Sequence, residues 1–263
     1  MKSNPIGIFD SGVGGTSIWR EIIALLPDED TIYLSDSINA PYGTKSKEEI
    51  LSFSIKNTEL LIEKGAKIIV VACNTATTNT ISYLRDKYDI PFIGIEPAIK
   101  PASIKTISKC IGILATKGTL SSALFSESMQ RFTQGVKVIE QEGTGIVELI
   151  ESGNIDSQEM DELLHRYIDP MVNQNIDYLV LGCTHYPYLI PQLKRLLPQN
   201  VTIIDSGFAV AKQTKAILEK FDLLNTDNKK SSKYFFYINQ QKEALETILS
   251  NVKTKFTIEE LKF

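Results

Sequence analysis

Two stretches of this chain run from apolar residues into a cysteine and then into polar side chains: VVACNTATTN at 70–79 and LVLGCTHYPY at 179–188. A thiolate can take a proton and a thiol can deliver one. With an ordinary pKa of about 8.5, cysteine reaches both states near neutral pH. Two such groups on opposite faces of one carbon could invert a stereocentre, one removing a proton and the other refilling the far face. Asn74 and Thr75 after Cys73 are residue types that start helices. A helix N-terminus offers free N–H groups and partial positive charge, which should lower a neighbouring thiol's pKa and welcome a carboxylate. Thr184 can donate to an anion. His185, two positions beyond Cys183, would return to the same side of an extended chain. There it could take the thiol's proton or hold it in place. DSGVGG at 10–15 brings the Asp10 carboxylate and the Ser11 hydroxyl to the end of another apolar run, with glycines that permit a sharp turn. Its spacing is neither a Walker loop nor a dinucleotide fingerprint. Cys110, inside an apolar run, reads as a buried hydrophobe. His165, in LLHRYID, reads as a helix-surface residue. No CxxC or HxxxH is present, so no metal site is expected.

The elements that must position these groups alternate. Strand candidates are 6–10, 31–36, 67–73, 91–95, 110–116, 135–141, 178–183, 201–206 and 234–239. Helical patterns lie between them: Leu51, Ile55, Thr58, Leu61 and Ile62 share one face, and Ile81, Leu84 and Tyr88 another. The strands are nearly continuous apolar runs, which implies α/β architecture with parallel sheets covered on both faces. A faint repeat accompanies this: IGIFDSG at 6–12 resembles IGILATKG at 111–118, and each precedes a cysteine at a similar distance. Two related doubly wound halves would place both thiols at strand C-termini, where open α/β sheets bind ligands. The segment after 239 reads as mostly helical, and 225–233 as a polar loop.

Bulk properties narrow the field. The 263 residues suffice for two units with their own cores, and 43% apolar with 23% charged residues is the balance of an ordinary globular protein. The net charge of −4, without a basic stripe, argues against a nucleic-acid partner. No run approaches a membrane span, and the N-terminus lacks the apolar core of an export signal. Three cysteines make no disulfide framework, so a cytoplasmic location with free thiols is expected.

DSGVGG, PYGTKS, ACNTAT and LGCTHYPYL, in this order, resemble the glutamate racemases of the cofactor-independent aspartate/glutamate racemase superfamily. The resemblance runs from Ile6 to about Ser206. It implies two α/β domains related by a pseudo-twofold, with the active site in the cleft between them: 1–97 plus 207–263, and 98–206. It implies Cys73 and Cys183 as the acid/base pair, Asp10 assisting Cys73, His185 assisting Cys183, and Glu151 near the site. Asp10, Ser11, Pro41, Tyr42, Gly43, Asn74, Thr75, Thr116, Thr184 and His185 would contact the substrate. Histidine after GCT favours glutamate over aspartate. The resemblance further implies no cofactor, a homodimer, supply of D-glutamate for peptidoglycan and, without a long N-terminal extension, no response to a cell-wall precursor. The chain departs from the pattern at Gly143–Thr144, where Cys-Pro is usual, at Tyr188, where leucine is usual, and at Ile238–Asn239. The first two should fall at the pocket rim. The alternative of another class is a two-lobed protein that clamps an amino acid without turnover.

Overall fold

The computed structural model describes residues 2–226 and 231–263. Ten strands are described: β1 (Ile6–Asp10), β2 (Thr31–Ser35), β3 (Ile68–Val71), β4 (Phe92–Gly94), β5 (Cys110–Ala115), β6 (Lys137–Glu142), β7 (Tyr178–Gly182), β8 (Thr202–Ile204), β9 (Tyr234–Ile238) and β10 (Thr257–Glu260). They form two sheets, ordered β10-β9-β2-β1-β3-β4 and β6-β5-β7-β8, and every pairing is parallel. Within the first sheet, β2-β1-β3-β4 has the same order as β6-β5-β7-β8. The repeat glimpsed in IGIFDSG and IGILATKG is therefore real at the level of topology: β1 corresponds to β5, and β3 to β7. β9 and β10 extend only the first copy.

The apolar strand patterns follow from double burial. Every residue of β1, β2, β3 and β5 is buried, so no polar alternation is needed. Trp19 and Phe236 pack edge to face at 4.8 Å beneath the first sheet. Helix 47–63 opens with a capping box, in which Ser46 and Glu49 satisfy each other's backbone N–H. Its buried face is Ile50, Ser54, Asn57, Thr58 and Leu61, and Ile62 is exposed. The face is rotated from the one expected because Asn57 turns inward to donate to the Tyr42 hydroxyl at 3.1 Å. The segment after 239 is helical only over Lys242–Leu249, and 257–260 is a strand. TIEE carries two glutamates and reads as helical, but pairing beside β9 overrides that local preference. The polar stretch 225–233 lies partly outside the described residues. Among the described residues no helix is long and apolar enough to cross a membrane.

Candidate active site

β3 and β7 occupy equivalent places in the two sheets, and each ends just before a cysteine. Cys73 and Cys183 are both buried, and both line a single cavity. The cavity is narrow, with free room for about one water molecule. Ser11, Pro41, Tyr42 and Gly43 form part of its wall, as do Asn74, Thr75 and Thr116. Thr184 and His185 complete it beside Cys183, together with Val147. The structure thus gathers residues from six separate sequence segments. Asp10 and Glu151 are not in the wall; each stands one hydrogen bond behind it.

On the Cys73 side, the sulfur itself caps helix 74–87, accepting the Ala76 N–H at 3.4 Å. Asn74 and Thr75 are the first residues inside the helix rather than its cap. The thiol also donates to Ser11 Oγ at 3.7 Å. Burial nevertheless pushes the Cys73 thiol well above its usual range, and the Asp10 carboxylate adds to the shift; the Ala76 N–H and Ser11 pull the other way and lose. This reverses the lowering expected from the helix N-terminus alone, because burying a thiolate beside an acid outweighs one weak N–H contact. Asp10 is fully buried at the end of β1, accepting from Gly15 N–H at 2.7 Å and from the Thr184 hydroxyl at 3.3 Å. Burial raises its pKa to about 6 against the pull of His185 and the Gly15 N–H. Its hydrogen bonds go to these groups and not to the thiol, so its influence on Cys73 is electrostatic.

On the Cys183 side, the backbone does not stay extended. His185 is helical, at φ −74° and ψ −32°, and leads into a short 3-10 turn over Tyr186–Leu189. Its Nδ1 still lies 3.7 Å from Cys183 Sγ, and its Nε2 lies 2.5 Å from Glu151 Oε1. Burial opposes charge on this imidazole, but the bonds to Cys183 and Glu151 outweigh it and hold its pKa well above the usual value. The Gly14 N–H also reaches Nε2, at 3.2 Å, so that nitrogen faces both a backbone donor and the Glu151 carboxylate. Glu151 is fixed by the Val13 N–H at 2.7 Å and the Ser37 hydroxyl at 3.2 Å.

The glycine loop has its purpose here. A Cβ on Gly12 would stand 1.9 Å from Glu151 Oε1, and one on Gly14 would stand 2.2 Å from His185 Nδ1. The loop wraps the imidazole–carboxylate pair at backbone distance, which only residues without side chains allow.

Two features point to a polar ligand in the cavity. Neither side-chain polar atom of Asn74 has a partner, although the residue is buried. Thr75 and Thr116 pair their hydroxyls at 2.8 Å, with Thr119 Oγ1 3.1 Å from Thr116. A neighbouring cavity shares Pro41, Gly43, Thr116 and Val147 and adds Gly143 and Thr144, which puts that departure from the pattern at the rim, as expected. Tyr188 is instead behind the site, bonded to Thr16 Oγ1 at 2.5 Å. Sequence reading missed Val147, which no polar motif marks, and Thr119, whose hydroxyl lies one turn beyond Thr116. It also missed Ser37, a lone serine. Cys110 is buried in β5, and His165 is exposed on helix 158–172, 3.2 Å from Asp169; neither approaches the cavity.

The Asp/Glu/Hydantoin racemase family profile matches residues 6–214. A glutamate racemase from Herpetosiphon aurantiacus is 45% identical over 232 residues, covering 88% of this chain and 91% of that protein. A glutamate racemase isoform from Bacillus anthracis superposes with a TM-score of 0.87 at 30% identity, covering 100% of this chain and 99% of that one. The Escherichia coli glutamate racemase, solved with L-glutamate and the activator UDP-MurNAc-Ala, gives 0.86 at 33% identity, covering 98% of each chain. Two sheets built on one repeated strand order, each delivering a thiol to a shared cavity, are accordingly those of the Asp/Glu/Hydantoin racemase family, to which this chain belongs.

Proposed function

We propose that the protein is a glutamate racemase that interconverts L- and D-glutamate through Cys73 and Cys183, without a cofactor. The observation that carries this reading is the convergence of two thiols, from topologically equivalent strand ends, on one cavity that also holds an unpartnered Asn74. The relatives' names supply the substrate. One thiolate removes the α-proton and the opposite thiol protonates the other face. His185, kept charged by Glu151, stabilises the Cys183 thiolate through Nδ1. Cys73 needs another source of positive charge. The substrate's α-ammonium, drawn toward Asp10, offsets that carboxylate and so makes the Cys73 thiolate accessible once substrate is bound. Asn74, Thr75, Thr116 and Thr184 donate to the two substrate carboxylates and to the charge that develops on proton removal. The Thr75–Thr116 contact must open for this, as the narrow cavity requires.

The strand membership of the two sheets supports reading the chain as 1–97 plus 207–263 and 98–206, with the cleft between them. The same reading places the protein in the cytoplasm as a homodimer that provides D-glutamate for peptidoglycan. The test is circular dichroism of purified protein with each enantiomer of glutamate and of aspartate. Decay of the glutamate signal to zero from either enantiomer, with aspartate far slower, is expected. A ligand that binds with unchanged optical activity would establish the clamping alternative.

A further inference from the structure

Tyr188 stands where the resemblance leads one to expect leucine, and its hydroxyl closes a ring of bonds around the Cys183 side of the site. Thr16 Oγ1 donates to Val13 O at 2.6 Å, so its contact with Tyr188 at 2.5 Å is one in which the phenol donates. Val13 N–H in turn donates to Glu151 Oε1, which pairs with His185 Nε2. His185 Nδ1 faces Cys183, and the Tyr188 N–H donates back to His185 O at 3.2 Å. A second tie runs alongside, from Ser17 Oγ to Thr184 O at 2.8 Å. Both ties join the start of helix 16–25, which follows β1, to the turn that follows β7. Tyr188 is half-buried, with Arg20 5.7 Å from its ring centroid. Desolvation raises its pKa to about 12 against the pull of Arg20, which keeps it a neutral donor.

We propose that Tyr188 is a positioning residue for the Cys183–His185–Glu151 assembly: its hydroxyl clamps the turn carrying the thiol and imidazole onto the glycine loop that anchors the carboxylate. This rests on the acid/base role given to Cys183 above. Without the clamp the Val13 segment and the turn can slide apart, and Glu151 no longer meets the imidazole squarely.

The charged and titratable groups facing His185 are Glu151, Cys183 and Asp10. The chain has only two histidines, and His165 is exposed. The His185 imidazole can therefore be followed by NMR in full-length protein labelled with ¹⁵N-histidine, using His165→Asn for assignment. In Tyr188→Phe, one lost hydrogen bond should lower the His185 titration midpoint by roughly half a unit and kcat about fivefold, with KM held within about twofold. Thr16→Val, which removes the acceptor from the other side, should reproduce the shift even if Tyr188→Phe does not fold. Thr16→Ser, which keeps the hydroxyl, should restore wild-type values. An unchanged midpoint in Tyr188→Phe or Thr16→Val, whether or not activity falls, overturns the proposal. A wild-type protein that leaves glutamate unracemised overturns the functional reading instead, and the His185 measurement is independent of it.

Discussion

Gly14→Ala is the sharpest perturbation the structure offers. Gly14 is not in the left-handed region, so alanine fits the backbone without strain. The cost is entirely steric. The added Cβ would lie 2.2 Å from His185 Nδ1, 2.5 Å from Cγ and 2.6 Å from Cε1, where ordinary contact begins near 3.4 Å. The imidazole or the loop must yield by about 1.2 Å, the difference of those two distances. The ring is pinned between Cys183 at 3.7 Å and Glu151 at 2.5 Å, so a shift of that size breaks at least one of these contacts. Misplacing a reacting group by about 1 Å costs on the order of 100-fold in rate, while overpacking costs about 1–3 kcal/mol of stability. The expected result is a kcat lower by about two orders of magnitude in a protein that still melts cooperatively within several degrees of wild type. Racemisation followed by circular dichroism, beside a thermal melt, decides it. A Gly14→Ala variant with kcat within twofold of wild type would show that the imidazole is not tied to the chemistry.

Asp10→Asn separates stability from activity. The folded protein holds the Asp10 proton up to about pH 6 against 3.8 ordinarily, so it binds that proton more tightly than the unfolded chain does. The stabilisation this gives is present below about pH 4 and lost as pH rises through 6. At ~1.36 kcal/mol per unit the loss is on the order of 3 kcal/mol. Asparagine keeps an oxygen for the Gly15 N–H, so the variant should melt higher than wild type near pH 8, show no such gain near pH 4, and lose activity; equal melting at both values would contradict the burial argument. Asn74→Ala removes an amide with no intramolecular partner, so the melting temperature should hold while KM rises about 10-fold or more. A fall in stability without a change in KM would mean the amide serves the fold.

The parts of the site that were legible in the sequence are those in which one residue type carries both chemistry and local geometry. A cysteine that ends a strand and precedes helix-starting residues announces its position, and the pair of such cysteines announced the repeated strand order. What stayed hidden depends on contacts distant in sequence. Asn57 rotates the helix 47–63 inward to reach Tyr42, an interaction no periodicity encodes. The glycines of DSGVGG looked like a ligand loop, but they make room for His185 and Glu151, 171 and 138 residues away from their loop partners Gly14 and Val13. The high Cys73 pKa arises from full burial and Asp10, and neither is visible at the helix start. β10 was unreadable because an edge strand owes its conformation to the partner that it pairs with.

The central claim is that each thiol serves one face of the α-carbon. Running the reaction in D₂O from protiated L-glutamate, stopped at low conversion, tests it most directly. A thiol holds one proton, and a proton abstracted by one cysteine can return only to the face it left. Deuterium should therefore appear in the newly formed D-glutamate while the recovered L-glutamate stays protiated. Deuterium entering the recovered L-glutamate as fast as D-glutamate forms would mean a single base serving both faces, and the paired roles of Cys73 and Cys183 would be wrong.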